Sequence, residues 1–291
     1  HTVSTPMGDV TVPGSAKRVV VLGYRLTGLA FDLGAPVKAT LPEQVGGVSE
    51  PAQAWRDAAA TQGTGFLAWT PAGFDIDAIR SFDPDLIIGG GPGLEYADAE
   101  RAYDDLSAIA PTVVIPQDAS TWEQQLEIMA DALGAKKRYD SLMRKYDGAM
   151  ADLRENMDPP SSDVGYLVLD ANEQPYALNE KVGLPPELEK LGLQASKASQ
   201  IPGLEVPDPT SEVIPVPRER VSEVFAQDTL FVLGLGRNIV NPGELAQDPH
   251  YADLPAIKNF RAFGLDYTAV DPGYDETMGA LGLMGNLFPK R

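Results

Sequence analysis

The 291-residue chain contains no cysteine, which excludes disulfides, thiolate metal sites and thiol nucleophiles within it. Histidine is nearly as scarce: His1 and His250 are the only two, no His/Asp/Glu cluster has metal-ligand spacing, and little room is left for a Ser/His/Asp site. Neither G-x-x-x-x-G-K-[ST], G-x-S-x-G nor H-E-x-x-H occurs. No stretch approaches the ~18 apolar residues that a membrane span requires. Basic runs are missing as well: the longest is Lys136-Lys137-Arg138, and 42 acidic against 23 basic residues leave a net charge of −19. That field disfavours nucleic acid and other phosphate-rich partners, and makes a trianionic ligand less welcome than a neutral or cationic one. A solubilising surface is the simplest origin of the charge itself.

What is present is enough apolar material, 43% of residues, to fill the cores of two ordinary domains. Segments 18–22, 36–39, 85–89 and 112–116 read as short buried strands separated by helical or loop stretches, an alternation that predicts a parallel α/β lobe. Gly34, Gly134 and Gly192 each follow a helical run where a left-handed C-cap belongs. Ser120 or Thr121 caps one helix, and a second runs from Ala135 to about Met157. In that second helix Tyr139, Leu142, Met143, Tyr146, Met150 and Leu153 form one stripe at three- and four-residue steps. At ~1.5 Å per residue it is about 30 Å long, a stiff strut between lobes. Pro159-Pro160-Ser161-Ser162 ends it. Beyond, 164–170, 230–234 and 262–266 read as strands, with helices near 184–191, 217–227 and 274–287. The five prolines of 200–217 predict an ordered loop or flap that is neither helix nor inner strand. The fold class is therefore α/β: an N-terminal lobe over 1–134, an interlobe helix over 135–158 and a C-terminal lobe over 159–291.

Two stretches echo each other. FDIDAIRSFDPDLIIG (74–89) and PRERVSEVFAQDTLFVLG (217–234) each place an acid, Asp77 or Glu219, at the opening of a short amphipathic helix, then an aspartate, Asp85 or Asp228, before an apolar strand. Helix starts favour carboxylates, because unpaired N–H groups and the positive end of the dipole face them. One acid per lobe suits a protein that clamps something and is itself read by a partner.

Six stretches in order resemble one family, the class III substrate-binding proteins of ABC importers that carry ferric siderophores, haem or cobalamin. They are VPGSAKRVVVLGYRLTGLAFDLGAPV (12–37), FDIDAIRSFDPDLIIGG (74–90), YDDLSAIAPTVV (103–114), LPPELEKLGL (184–193), VPRERV (216–221) and HYADLPAIKNFRAFGLD (250–266). The resemblance implies two α/β lobes, with central sheets flanked by helices, bridged by one long rigid helix, and a ligand held in the cleft between them. It also implies a membrane permease as partner, met through one acid on each lobe. By motif position these acids are Asp77, where the family usually has Glu, and Glu219. An extracytoplasmic monomer, tethered by lipid on a cysteine upstream of this sequence, completes the expectation.

Ligand sites in open α/β lobes lie beyond the carboxyl ends of strands. On the first lobe this nominates Tyr24 and Arg25 after the first strand, Tyr96 after the glycine-rich 89–93, and Trp69 in the loop before the acid-bearing helix. On the second it nominates Tyr176, Arg237 and Tyr267. Aromatics offer large rigid contacts at small entropic cost. A ferric siderophore brings its iron already coordinated, so neither protein metal ligands nor a cofactor is required. Haem capture through a tyrosine or histidine axial ligand stays open. Because Arg25 and Arg237 are the only cations nominated, a hydroxamate-type siderophore fits better than a tris-catecholate of charge about −3. An enzyme is the competing class. LIIGGGPG (86–93) follows a strand, but it lacks the G-x-G-x-x-G pattern and Pro92 interrupts it, so a chelatase-like α/β enzyme is the weaker alternative.

Overall fold

The computed structural model describes residues 1–45, 48–207, 211–236 and 240–290, and the chain divides into two compact units. The first comprises His1–Lys145 with Gly273–Asp275, the second Tyr146–Pro272 with Glu276–Arg291.

In the first unit, a hairpin of β1 (Thr2–Thr5) and β2 (Gly8–Thr11) precedes β3 (Val19–Leu22), α1 (Tyr24–Asp32) and β4 (Val37–Thr40). The antiparallel pair β5 (Glu43–Val45) and β6 (Val48–Glu50), then α2 (Arg56–Gln62), lead to β7 (Gly65–Phe66). A small hairpin of β8 (Trp69–Thr70) and β9 (Gly73–Phe74) leads to α3 (Ile76–Ser81). β10 (Leu86–Gly90), α4 (Leu94–Arg101), α5 (Tyr103–Ser107), β11 (Thr112–Ile115) and α6 (Trp122–Ala132) follow. β11-β10-β3-β4-β7 form one parallel sheet in that order. Every residue of β3, β10 and β11 is buried, as strands covered on both faces require, and this explains their unbroken apolar sequences. Val20, Leu22, Leu41, Ile79, Ile87 and Leu106 form the core on one side. Asp85 sets the level of two neighbouring strands: its carboxylate accepts from the backbone N–H groups of Lys17 at 2.9 Å and Arg18 at 2.8 Å. Trp55 is buried with Ala52 and Ala59 and stacks on Phe31 at 5.8 Å.

Thr121 and Gln124 make a reciprocal capping box at the start of α6. Gly134, at φ +63°, then turns the chain into α7 (Lys136–Asn156), 21 residues long. The positive φ values at Gly34 and Gly192 likewise match their expected cap positions. Along α7 the stripe is borne out: Leu142, Tyr146 and Met150 are buried, with Tyr139, Met143 and Leu153 half-buried.

The second unit contains β12 (Val164–Leu169), β13 (Pro175–Leu178), α8 (Leu184–Glu189), β14 (Val213–Pro215), α9 (Val221–Val224), β15 (Thr229–Gly234), α10 (Pro242–Leu245), α11 (Pro255–Lys258), β16 (Ala262–Gly264) and, from Glu276 onward, α12 (Tyr274–Leu287). Its sheet runs β14-β13-β12-β15-β16, with β12, β15 and β16 parallel and β13 antiparallel to both neighbours. The proline-rich 200–217 supplies β14 at the sheet edge, where Pro215 withholds no needed ladder bond. The helix expected over 217–227 is shorter: a 3₁₀ turn at Arg218–Arg220 passes into the single helical turn of α9. Leu167, Ile214, Phe225, Leu230 and Val232 lie in the core of this unit.

Candidate functional site

In the first unit β3 and β10 are adjacent and parallel, with Leu22 beside Gly89, so the segments leaving their carboxyl ends emerge at one level. Gly23 to Arg25 open α1 there, and Gly91 to Tyr96 open α4. Tyr24 and Arg25 are both half-buried; the Arg25 Nε donates to the Tyr24 hydroxyl at 3.1 Å, with its guanidinium 5.5 Å from the ring centre. Burial, and then the nearby carboxylates of Glu100 and Asp118, push the Tyr96 phenol up, which keeps it a neutral hydrogen-bonding group.

Trp69 lies not in a loop but in β8, paired with Phe74 across the hairpin and stacked on its ring at 6.4 Å. Its indole Nε1 donates to Asp98 Oδ2 at 2.6 Å, and Arg101 donates to the other oxygen of the same carboxylate. Trp69 and α4, the helix of Tyr96, are thereby brought together. Sequence reasoning missed two features of this edge. Asp98 stands 29 residues from Trp69, and no local pattern announces the contact. Leu94, at the first position of α4, is 73% exposed, and Phe66, at the end of β7, is 44% exposed. Exposed apolar side chains leading from parallel strand ends are a ligand-face signal that only the fold reveals.

In the second unit Tyr176 sits within β13, half-buried between Val168 and Pro215. Burial is the main cause that pushes its phenol up, with Asp170 adding a carboxylate and a hydrogen bond. Tyr267 opens a 3₁₀ turn after β16, capped by Asp266, whose carboxylate accepts from Thr268 N. Arg237 lies outside the described residues.

The two acids occupy different local settings. Asp77 follows the N-cap Asp75, which accepts from Ala78 N at 2.9 Å; its own side chain is 92% exposed and pairs with Arg80 at 2.9 Å. Glu219 is exposed between two arginines that are turned elsewhere. Arg218 donates to the backbone oxygens of Asn172 and Glu173, and Arg220 forks onto Glu223 at 2.9 and 2.8 Å. Among the described residues no group of three or more His, Asp or Glu side chains could hold a metal ion, and no helix is long and apolar enough to cross a membrane.

The family model described as "Periplasmic binding protein" matches residues 19–269, and the chain belongs to that family, whose members are binding proteins rather than enzymes. The ferric enterobactin-binding periplasmic protein FepB of Escherichia coli O6:H1 is 24% identical over 306 aligned positions, covering 98% of this chain and 90% of its own length. The probable siderophore-binding lipoprotein YfiY of Bacillus subtilis is 30% identical over 163, covering 54% of this chain and 46% of its own. Among solved structures, holo-ViuP resembles this fold with a TM-score of 0.78 at 17% identity, over 100% of this chain and 95% of that one. The family resemblance carried by the six motifs is borne out.

Proposed function

We propose that this protein is the extracytoplasmic substrate-binding component of an ABC importer, that it binds a ferric siderophore, and that it performs no chemistry on its ligand. The observation that carries the reading is the family match over 19–269, joined to two relatives that are both named for siderophore binding. The ligand contacts are, in the first unit, Tyr24, Arg25, Trp69 and Tyr96 with the exposed Leu94, and in the second Tyr176, Tyr267 and Arg237. A hydroxamate-type chelate suits this set. Arg25 is already engaged by Tyr24 and Arg101 by Asp98, while apolar and aromatic groups dominate the edge of the first sheet. Asp77 and Glu219 are the contacts to the membrane permease, which explains carboxylates so fully offered to solvent.

The test is tryptophan fluorescence quenching of the apo protein by ferrichrome, ferrioxamine, ferric enterobactin, haem and cobalamin at fixed low salt. Trp69 is the half-buried tryptophan on the first-unit edge, whereas Trp55 and Trp122 are buried. Sub-micromolar quenching by a hydroxamate alone supports the whole reading. A preference for ferric enterobactin, a tris-catecholate, keeps the receptor and overturns the charge argument; binding of haem or cobalamin alone overturns the siderophore.

A further inference from the structure

We infer that Asp98 is a positioning residue for Trp69, holding the indole fixed on the ligand edge of the first unit. This rests on the siderophore-receptor reading above and goes beyond it by naming what orders one wall of the site.

The hairpin that carries Trp69 has strands of two residues each, β8 and β9, and forms a sheet of its own. Two-stranded ribbons of this size are not stable by themselves in water, so something outside the hairpin must hold it. The core of the unit, against which Trp69 and Phe74 pack, supplies part of that hold, and α4 supplies two pins. Asp98, whose side chain is only 13% exposed, accepts the indole N–H at 2.6 Å, and its second oxygen is held by Arg101. Arg101 also lies against the hairpin turn: a Cβ on Gly73, whose φ is +102°, would come within 2.9 Å of Arg101 Nη2. Leu94, Asp98 and Arg101 are spaced by four and three residues, so they share one face of α4. The pinned indole therefore belongs to the same helix face as the exposed Leu94. A ring held this way loses little rotational freedom when a ligand arrives, and the shared carboxylate leaves no uncompensated charge beside it.

The experiment combines affinity with a signal from the indole itself. Three tryptophans give three indole N–H correlations in a ¹⁵N spectrum. In D98A the Trp69 resonance moves strongly upfield while the other two stay in place, and affinity for the best-bound ferric chelate of the panel falls about tenfold, because the freed indole must then be immobilised when the chelate binds. The near-isosteric D98N keeps an acceptor, so its resonance moves partway and affinity falls about threefold; it carries the test should D98A fail to fold. R101A, which leaves the indole bond intact, has a smaller effect than D98A. In a W69F background D98A weakens binding no further. An unmoved Trp69 resonance, unchanged affinity in D98A and D98N, or effects that multiply in the double variant would each overturn the assignment. If the unmodified protein binds none of the chelates, the receptor reading itself fails and takes this inference with it, a result distinct from all of these.

Discussion

Truncation of Glu187 to alanine should destabilise the second unit by about 2–3 kcal/mol, because a buried carboxylate there joins α7 to α8. Glu187 Oε2 accepts from the Tyr146 hydroxyl at 2.7 Å, and Oε1 accepts from Lys190 Nζ at 2.6 Å. Glu187 and Tyr146 are both buried, whereas the Lys190 side chain is 41% exposed. The lysine pairing is therefore screened and contributes at most about 1 kcal/mol. The phenol–carboxylate bond is a buried hydrogen bond to a charge, of order 1.5–3 kcal/mol, and it dominates. Lys190 Nζ also lies 3.2 Å from the Tyr146 hydroxyl, so that oxygen keeps one neighbour after truncation, which holds the total below the roughly 3–5 kcal/mol of a fully broken buried pair. E187Q, which preserves an acceptor, should cost about 1 kcal/mol, and Y146F about the same. Urea unfolding at pH 7 followed by far-UV circular dichroism reads these differences; tryptophan fluorescence does not, since Trp55, Trp69 and Trp122 all lie in the first unit. Y146F and E187A should fall short of additivity by about 1 kcal/mol. A loss below about 0.5 kcal/mol for E187A, or full additivity, would refute the assignment of the coupling to this bond.

Reversal of Glu219 to arginine should leave ligand affinity unchanged and abolish uptake in cells; a collapse of affinity would place the residue in the binding site instead. Burial pushes the Tyr251 phenol up to about 12, and burial first of all pushes Tyr146 and Tyr166 up as well. Unfolded tyrosines titrate near pH ~10, so the unfolded chain sheds protons that the folded one keeps, and this stability is complete below about pH 10 and lost as pH rises through the folded values. Urea midpoints should thus fall above about pH 10, with tyrosinate absorbance at alkaline pH lagging until unfolding; a flat profile would contradict the burial of these phenols. Phe260 sits at φ +54° at the end of α11, 91% exposed, in a position that glycine favours, with Arg261 N bonded to Ala256 O at 2.8 Å. Phe260→Gly should stabilise the chain by about 1 kcal/mol, measured as a raised urea midpoint, and destabilisation would show that the ring contributes packing.

Much of the fold was legible because its central strands are buried on both faces. The runs around Val19–Leu22, Leu86–Gly90 and Thr229–Gly234 carry no polar alternation, and each is a strand. The α7 stripe was equally plain, since 21 residues give the helical period room to repeat. Short elements were not legible. β8, β9, β13 and β14 have two to four residues each, too few for any period, and they exist because distant partners pair with them. Glycine-rich strand ends pointed to the edge where Tyr24 and Tyr96 emerge, but the pairing of Trp69 with Asp98 depends on the fold bringing β8 against α4. Leu94 was hidden for the opposite reason: a leucine at a helix start reads as core unless its exposure is known.

The central claim, capture of an intact ferric chelate without turnover, is tested most directly by equilibrium dialysis of the apo protein against radio-iron-labelled ferrichrome, ferrioxamine and ferric enterobactin. The account predicts saturable retention of one chelate per chain, with the hydroxamates favoured and the released ligand chemically unchanged. No retention of any of the three, or recovery of an altered chelate, would contradict it.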